Sequence, residues 1–471
     1  MLLRIYHRLP GPLRSVAASL RGCYLRSWRY GRETDGLISE ALERESWTAQ
    51  QWQTWREDRL AFVLRRAATR VPYYREQWAK RRREGDKASW DVLENWPILE
   101  KEPLRANPLA FVAEDCDVRH MFSENTSGTS GKPLTLWWSR ATVRQWFALF
   151  EARLRSWNGV SRHERWAILG GQPVTPTTAQ RPPFWVWNPP MNQLYLSANH
   201  LSPRHAQAYV SALEKYQVTH LIGYASSAAV LAREIMEANL EFSGLRAVIT
   251  NAEPLLPWQR ETIQRGLKTV VRESYGMAEA VAAASECAAG HLHLWPEVGH
   301  VEVLQDEENF PALDGSVGRL VCTGLLNADM PLIRYAVGDR GSFSVQSSEC
   351  SCGRTLPIVA GIEGRTNDML ISPDGRRVYW LNPVFYGLPV KEAQIVQESM
   401  NQLRVNYVPS LEFTMETSRI ICERLKDRMG AVEVTLEPVS CIPRGPNGKF
   451  RAVINRLPPD QTHRVDPIHH G

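Results

Sequence analysis

Nowhere do the 471 residues hold an apolar run of about 18, the length a membrane-crossing helix needs, so a channel or transporter is excluded. Cysteine is scarce, with eight in the whole chain, which rules out a disulfide framework. There is no internal repeat and no low-complexity tract, so solenoid and fibrous classes fall away. A large charge of one sign is missing too. The formal net charge of +5 is too small to mark a nucleic-acid partner. What is present, 43% hydrophobic and 23% charged residues, is the composition of a soluble, cytoplasmic protein. At roughly 100–200 residues per domain it has two or three domains.

One stretch lacks acid altogether. Met1 to Arg32 carries seven arginines and neither Asp nor Glu. Arginine interrupts every candidate for the apolar core of a secretory signal. Segment 1–35 reads as a helix lying on the anionic inner face of a membrane, with Leu2, Leu3, Ile5, Tyr6, Leu20, Tyr24 and Trp28 as apolar contacts. A solvated helical face or a poorly ordered terminus is the alternative.

Residues 36–101 are helical in pattern, and Pro72 is placed to start a new helix. "WPILEKEPLRANP" reads as a proline-punctuated connector. From Met121 to Arg354 short apolar strands such as "RWAIL" and "THLIGY" alternate with helices such as "SSAAVLAREIMEA", the mark of an α/β core. That stretch includes a β-rich run, "GHVEVL…GRLVCTGLL…GSFSV", and after Gly364 a smaller α+β unit follows.

The most informative loop is Ser123-Glu-Asn-Thr126-Ser127-Gly128-Thr129-Ser130-Gly131-Lys132-Pro133. Its glycines let backbone N–H groups turn inward on an anion, its hydroxyls add donors, and Lys132 adds a point charge suited to phosphate. It is not a Walker A loop, because Thr126 stands where the first glycine is required. A GxGxxG fingerprint is absent as well. Taken alone, the loop is a common kind of turn.

Four further motifs follow it in order: "SYGMAE" ending in Glu279, "MPLIRYAVGD" ending in Asp339, "GIEGRTNDML" with Arg365, and "IPRGPNGKFR" with Lys449. With the loop they resemble the signatures of the adenylate-forming superfamily, over about two thirds of the chain. "VPYYREQW", "PILEKEPLR", "RPPFWVWN", "GYASS" and "CSCGR" are similar to the phenylacetate–coenzyme A ligase family, closest to its capsular-polysaccharide-linked members. The resemblance implies an α/β, two-domain adenylate-forming architecture: a large N-terminal domain over 36–364 and a small mobile domain over 365–471. It also implies ATP-dependent activation of a small carboxylic acid, then transfer to coenzyme A. Alternatives keep the adenylation but pass the acyl group to an amine or carrier in polysaccharide biosynthesis, or make the chain a non-catalytic relative.

On that resemblance the 126–132 loop holds phosphates, Glu279 ligates Mg²⁺, and Glu253 and Tyr275 border the adenine. Asp339 takes the ribose hydroxyls, Arg365 lies near ribose and phosphate, and Lys449 bridges carboxylate and α-phosphate. The hinge falls at Asn367, where relatives carry an acid or lysine, and that departure bears on the second half-reaction. Trp187, Tyr224 and Ser226 are assigned to the acid's pocket, although aromatics in this region serve equally as core. Cys350 and Cys352 form a tight pair, and Cys287 and His293 have five residues between them. Together they would supply a tetrahedral structural Zn²⁺ site.

Overall fold

The computed structural model describes residues 2–126, 134–172, 174–176, 178–305, 309–313, 315–343, 350–365, 370–378, 381–385, 387–445 and 449–458. The chain divides into two compact units, Met1–Val337 with Gly341–Ile362, and Gly338–Arg340 with Glu363–Gly471.

In the large unit, helices come first: α1 (Leu2–Arg8), α2 (Gly11–Arg29), α3 (Thr34–Glu43), α4 (Ala49–Arg70), α5 (Pro72–Arg83) and α6 (Lys101–Ala106). Their boundaries follow from local chemistry. Thr48 and Gln51 form a capping box at the start of α4, and Pro72 supplies the preset φ of a first helical turn in α5. The expected connector at residues 96–108 holds the short helix α6, a departure that Pro103 permits by standing within the first turn, where no intrahelical donor is needed. A hairpin, β1 (Phe122–Asn125) with β2 (Thr135–Trp138), leads to α7 (Arg140–Phe150), capped by Ser139.

The core is a parallel sheet. Its strands are β3 (Trp166–Gly170), β5 (Gln193–Ser197), β6 (His220–Tyr224), β7 (Ala247–Asn251) and β8 (Val270–Gly276), with β4 (Trp185–Asn188) antiparallel at the edge. Helices α8 (Ala206–Lys215), α9 (Ala225–Glu237) and α10 (Pro257–Leu267) supply the crossovers. Near-continuous apolar strands such as Ala247–Ile249 fit burial on both faces. Gly223 allows β6 to lie close on β3: a Cβ there would sit 2.2 Å from Leu169 O. β9 (Ala283–Glu286), β10 (Leu292–Leu294), β11 (Gly299–Leu304), β12 (Gly318–Gly324), β13 (Tyr335–Phe343) and β14 (Ile358–Arg365) extend it to twelve strands, ordered β11-β12-β13-β14-β10-β9-β8-β7-β6-β3-β5-β4.

The second unit has a hairpin, β15 (Leu370–Ile371) with β16 (Arg377–Val378), and a four-stranded sheet. That sheet comprises β17 (Val390–Ser399), β18 (Gln402–Pro409), β19 (Glu433–Pro438) and β20 (Val453–Asn455), in the order β19-β18-β17-β20. Helix α11 (Met415–Met429) buries Ile421, Leu425 and Met429 with Ile395 and Val405 in its core.

Candidate active site and metal centre

Strand β3 has β5 on one side and β6 on the other, and the chain visits β5 before it crosses to β6. That reversal of direction opens a crevice at the carboxyl ends of the strands, where open α/β sheets take their ligands. Tyr224, Asn251 and Gly276 end β6, β7 and β8 at this edge, so Tyr224, Ser226, Glu253 and Tyr275 are gathered along it. The backbone of Ala252 takes φ of +62°, turning the chain sharply just after β7. Glu253 Oε2 then accepts the Ser226 N–H at 3.0 Å, an anion placed on the first turn of α9. Burial raises the pKa of Tyr224, partly offset by the Gly171 backbone N–H. Ser226 is buried, and its Oγ has no hydrogen-bond partner among the described residues.

Trp187 is not brought to this edge. It pairs in register with Leu194, near the amino ends of the parallel strands, and stacks on Tyr216 with ring centroids 5.0 Å apart. In this fold it is a packing residue of the sheet's edge.

The glycine-rich loop joins β1 to β2. Thr126 closes its base: its N–H donates to Leu134 O at 3.0 Å, and its Oγ1 accepts the Leu134 N–H at 2.9 Å. Ser127, Gly128, Thr129, Ser130, Gly131 and Lys132 lie outside the described residues, as does Asn367. Asn327 Nδ2 donates to Trp137 O, which pins the hairpin to the segment before β13.

Glu279 stands on a turn after β8 and is half-buried. The Tyr335 hydroxyl donates to its Oε1 at 2.9 Å. A carboxylate so oriented suits a hard divalent cation. Tyr335 lies inside the quoted "MPLIRYAVGD" motif, so the sequence carried a signal for it that spacing alone did not decode. In the second unit Asp339 is buried on β13, and Arg365 ends β14. There, too, the Gly445 N–H donates to Lys449 O at 2.9 Å.

Cys287, His293, Cys350 and Cys352 converge, with their ligand atoms all within 4.8 Å of one another. Cys287 Sγ lies 3.7 Å from Cys350 Sγ, and Cys352 Sγ 3.5 Å from His293 Nε2. His293 Nδ1 donates to Leu356 O at 2.9 Å, so the other ring nitrogen keeps its lone pair for the cluster. Three sulfurs and one imidazole in this spacing fit tetrahedral Zn²⁺.

Sequence reasoning missed the residues around this cluster. His291 Nδ1 is 3.2 Å from Cys350 Sγ. Glu45 accepts from Trp157 Nε1 and Arg354 Nε, and Arg354 stacks over the Trp157 ring. Glu45 also lies 3.7 Å from buried Arg153, which forms a bidentate pair with Glu297. A π-helical turn, Glu151–Arg155, turns both Arg153 and Arg155 inward, and nothing in the local sequence announces it.

Comparison with known proteins extends these observations. Residues 370–456 match the CapK C-terminal domain family. The chain is 25% identical to Protein CapK of Staphylococcus aureus over 466 residues, 97% of this chain and 100% of that protein. It is 29% identical to a phenylacetate-coenzyme A ligase of Thermus thermophilus over 263 residues, 49% of this chain and 58% of that one. The fold matches a crystal structure of 2-hydroxyisobutyryl-CoA ligase in the postadenylation state, with TM-score 0.65 and 22% identity, covering 88% of this chain and 91% of the other. The resemblance drawn from the motifs is borne out: the chain is similar to CapK along its length and to phenylacetate-coenzyme A ligases over about half of it, and its fold is that of the 2-hydroxyisobutyryl-CoA ligase structure.

Proposed function

We propose that this chain is an AMP-forming acid–thiol ligase, which couples ATP to a carboxylic acid and passes the acyl group to coenzyme A in the cytoplasm. A carboxylate is a poor electrophile, so the carboxylate oxygen attacks the α-phosphorus, pyrophosphate leaves, and AMP becomes the leaving group for the thiol. The observation that carries this reading is the convergence of Tyr224, Ser226, Glu253 and Tyr275 on one carboxyl-terminal sheet edge, with the Glu279 turn directly after it.

Within that reading the 126–132 loop cradles the β- and γ-phosphates, and Glu253 and Tyr275 border the adenine. Asp339 accepts both ribose hydroxyls, and Arg365 lies near ribose and phosphate. Lys449, carried by the 365–471 domain, neutralises charge building on the α-phosphate. Asn367 is the hinge on which that domain turns. Glu279 would hold Mg²⁺, which supplies charge neutralisation at the phosphate oxygens. Tyr224 and Ser226 line the acid's pocket. Cys287, His293, Cys350 and Cys352 would hold a structural Zn²⁺, stapling the β9–β10 turn to the segment before β14.

Product analysis tests the acceptor. Incubation with ATP, Mg²⁺, coenzyme A and a panel of acids is expected to yield an acyl-CoA and AMP, read by mass spectrometry. AMP formed only when an amine or carrier replaces coenzyme A would overturn thioester formation while leaving adenylation standing.

A further inference from the structure

The first thirty residues form the helices α1 and α2, and α2 has two apolar faces. α2 buries Gly22, Leu25 and Trp28 against the large unit, while Leu13, Val16, Leu20 and Tyr24 are 51, 54, 69 and 48% exposed. Those four recur at intervals of three and four, which puts them on one stripe of the helix. Trp28, expected from sequence to face outward, packs inward instead, and Leu13 and Val16 join the outer stripe. Ile5 of α1 is exposed as well.

The helix cannot roll to hide this stripe. Gly22 rests directly on Asn188, where a Cβ would fall 2.0 Å from Oδ1. Arg14 Nη1 donates to Val174 O at 3.3 Å, Arg26 Nη1 to Pro190 O at 3.1 Å, and the Tyr6 hydroxyl to Val174 O at 3.2 Å. Arg29 is turned inward over the Phe147 ring. Arg8, Arg21, Arg26 and Arg32 remain exposed, and no acid lies anywhere in residues 1–32. Of the nearby carboxylates, Glu33 is paired with Arg144, and Glu124 of β1 lies near Arg21 and Arg29.

We infer that the outward stripe of α2 seats the protein on an anionic phospholipid bilayer. Leu13, Val16, Leu20 and Tyr24 enter the boundary between headgroups and acyl chains, and the exposed Arg8, Arg21 and Arg32 meet lipid phosphates. Charge complementarity selects this occupant, because an apolar stripe on a segment that carries exposed arginines and no acid of its own is the pattern that anionic interfaces bind. The stripe includes none of the residues assigned to the candidate nucleotide site, so this inference stands apart from the proposed activity.

Co-sedimentation with vesicles tests it directly. The full chain is expected to pellet with phosphatidylcholine–phosphatidylserine vesicles, weakly with phosphatidylcholine alone, and less as salt rises. Joint replacement Leu13→Ser, Val16→Ser and Leu20→Ser should lower partitioning by about tenfold or more. Because these side chains are already exposed, the thermal midpoint should not move. Arg21→Gln should weaken binding to the anionic vesicles alone. Absence of binding to anionic vesicles at low salt, or equal binding by wild type and triple variant, overturns the inference. So does a concentration-dependent dimer that the triple variant abolishes in the absence of lipid, which would assign the stripe to a second copy of the chain.

Discussion

Buried Tyr335, the first residue of β13, donates its hydroxyl to Glu279 Oε1 at 2.9 Å across 56 residues of sequence. The bond sets the rotation of the Glu279 carboxylate; in the proposed reading, where that carboxylate would hold Mg²⁺, Tyr335 acts as a positioning residue. Tyr335→Phe removes only the oxygen. The expected cost is about 1 kcal/mol of stability and roughly a tenfold loss of rate, with a higher Mg²⁺ requirement. Glu279→Gln should lose about a hundredfold or more. A Tyr335→Phe enzyme with unchanged Mg²⁺ dependence would limit the tyrosine to packing.

The cysteine–histidine cluster makes a second prediction. Protein prepared without chelator should contain one zinc per chain. Strong chelator, or Cys352→Ser, should lower the thermal midpoint by about 5 °C or more. Metal-free protein whose melting chelator leaves untouched would end the assignment.

His220 predicts a pH effect of definite sign. It is buried, its Nε2 accepts from Arg155 Nε at 3.3 Å, and burial first, then Arg155 and Arg246, push its pKa down to about 2. The unfolded chain binds a proton near the ordinary value of about 6.5, the folded chain does not, so stability falls as pH drops below that value. The slope from this group is about 1.4 kcal/mol per pH unit. Urea unfolding at pH 7.5 and 5.5 should show a smaller difference for His220→Gln than for wild type. Identical differences would contradict it.

Much of this was legible from sequence because it rests on local patterns. "THLIGY" and "SSAAVLAREIMEA" became β6 and α9, and the four proposed zinc ligands converge as a set. What was not legible depends on partners far along the chain. Trp187 looked like a pocket wall until its register with Leu194 and its stack on Tyr216 placed it at the sheet's edge. Trp28 looked outward until the docking of Gly22 on Asn188 fixed which face of α2 turns in. The Glu45–Trp157–Arg354 group joins residues more than a hundred positions apart, which no spacing rule reaches.

Gly223 makes a fourth prediction. The atom a new Cβ would strike, Leu169 O, is main chain and has no rotamer to yield. Gly223→Ala should destabilise by about 1–3 kcal/mol and disturb the neighbouring Tyr224. Unchanged melting would mean that β6 and β3 can separate freely at the crevice.

The central claim is adenylation, and pyrophosphate release tests it most directly. Wild type and Lys449→Ala should be run side by side with ATP and Mg²⁺ across aryl, aliphatic and hydroxy acids. The account predicts release that depends on one class of acid and falls by about a hundredfold or more in the variant. Release independent of any acid, or equal in wild type and variant, would contradict it.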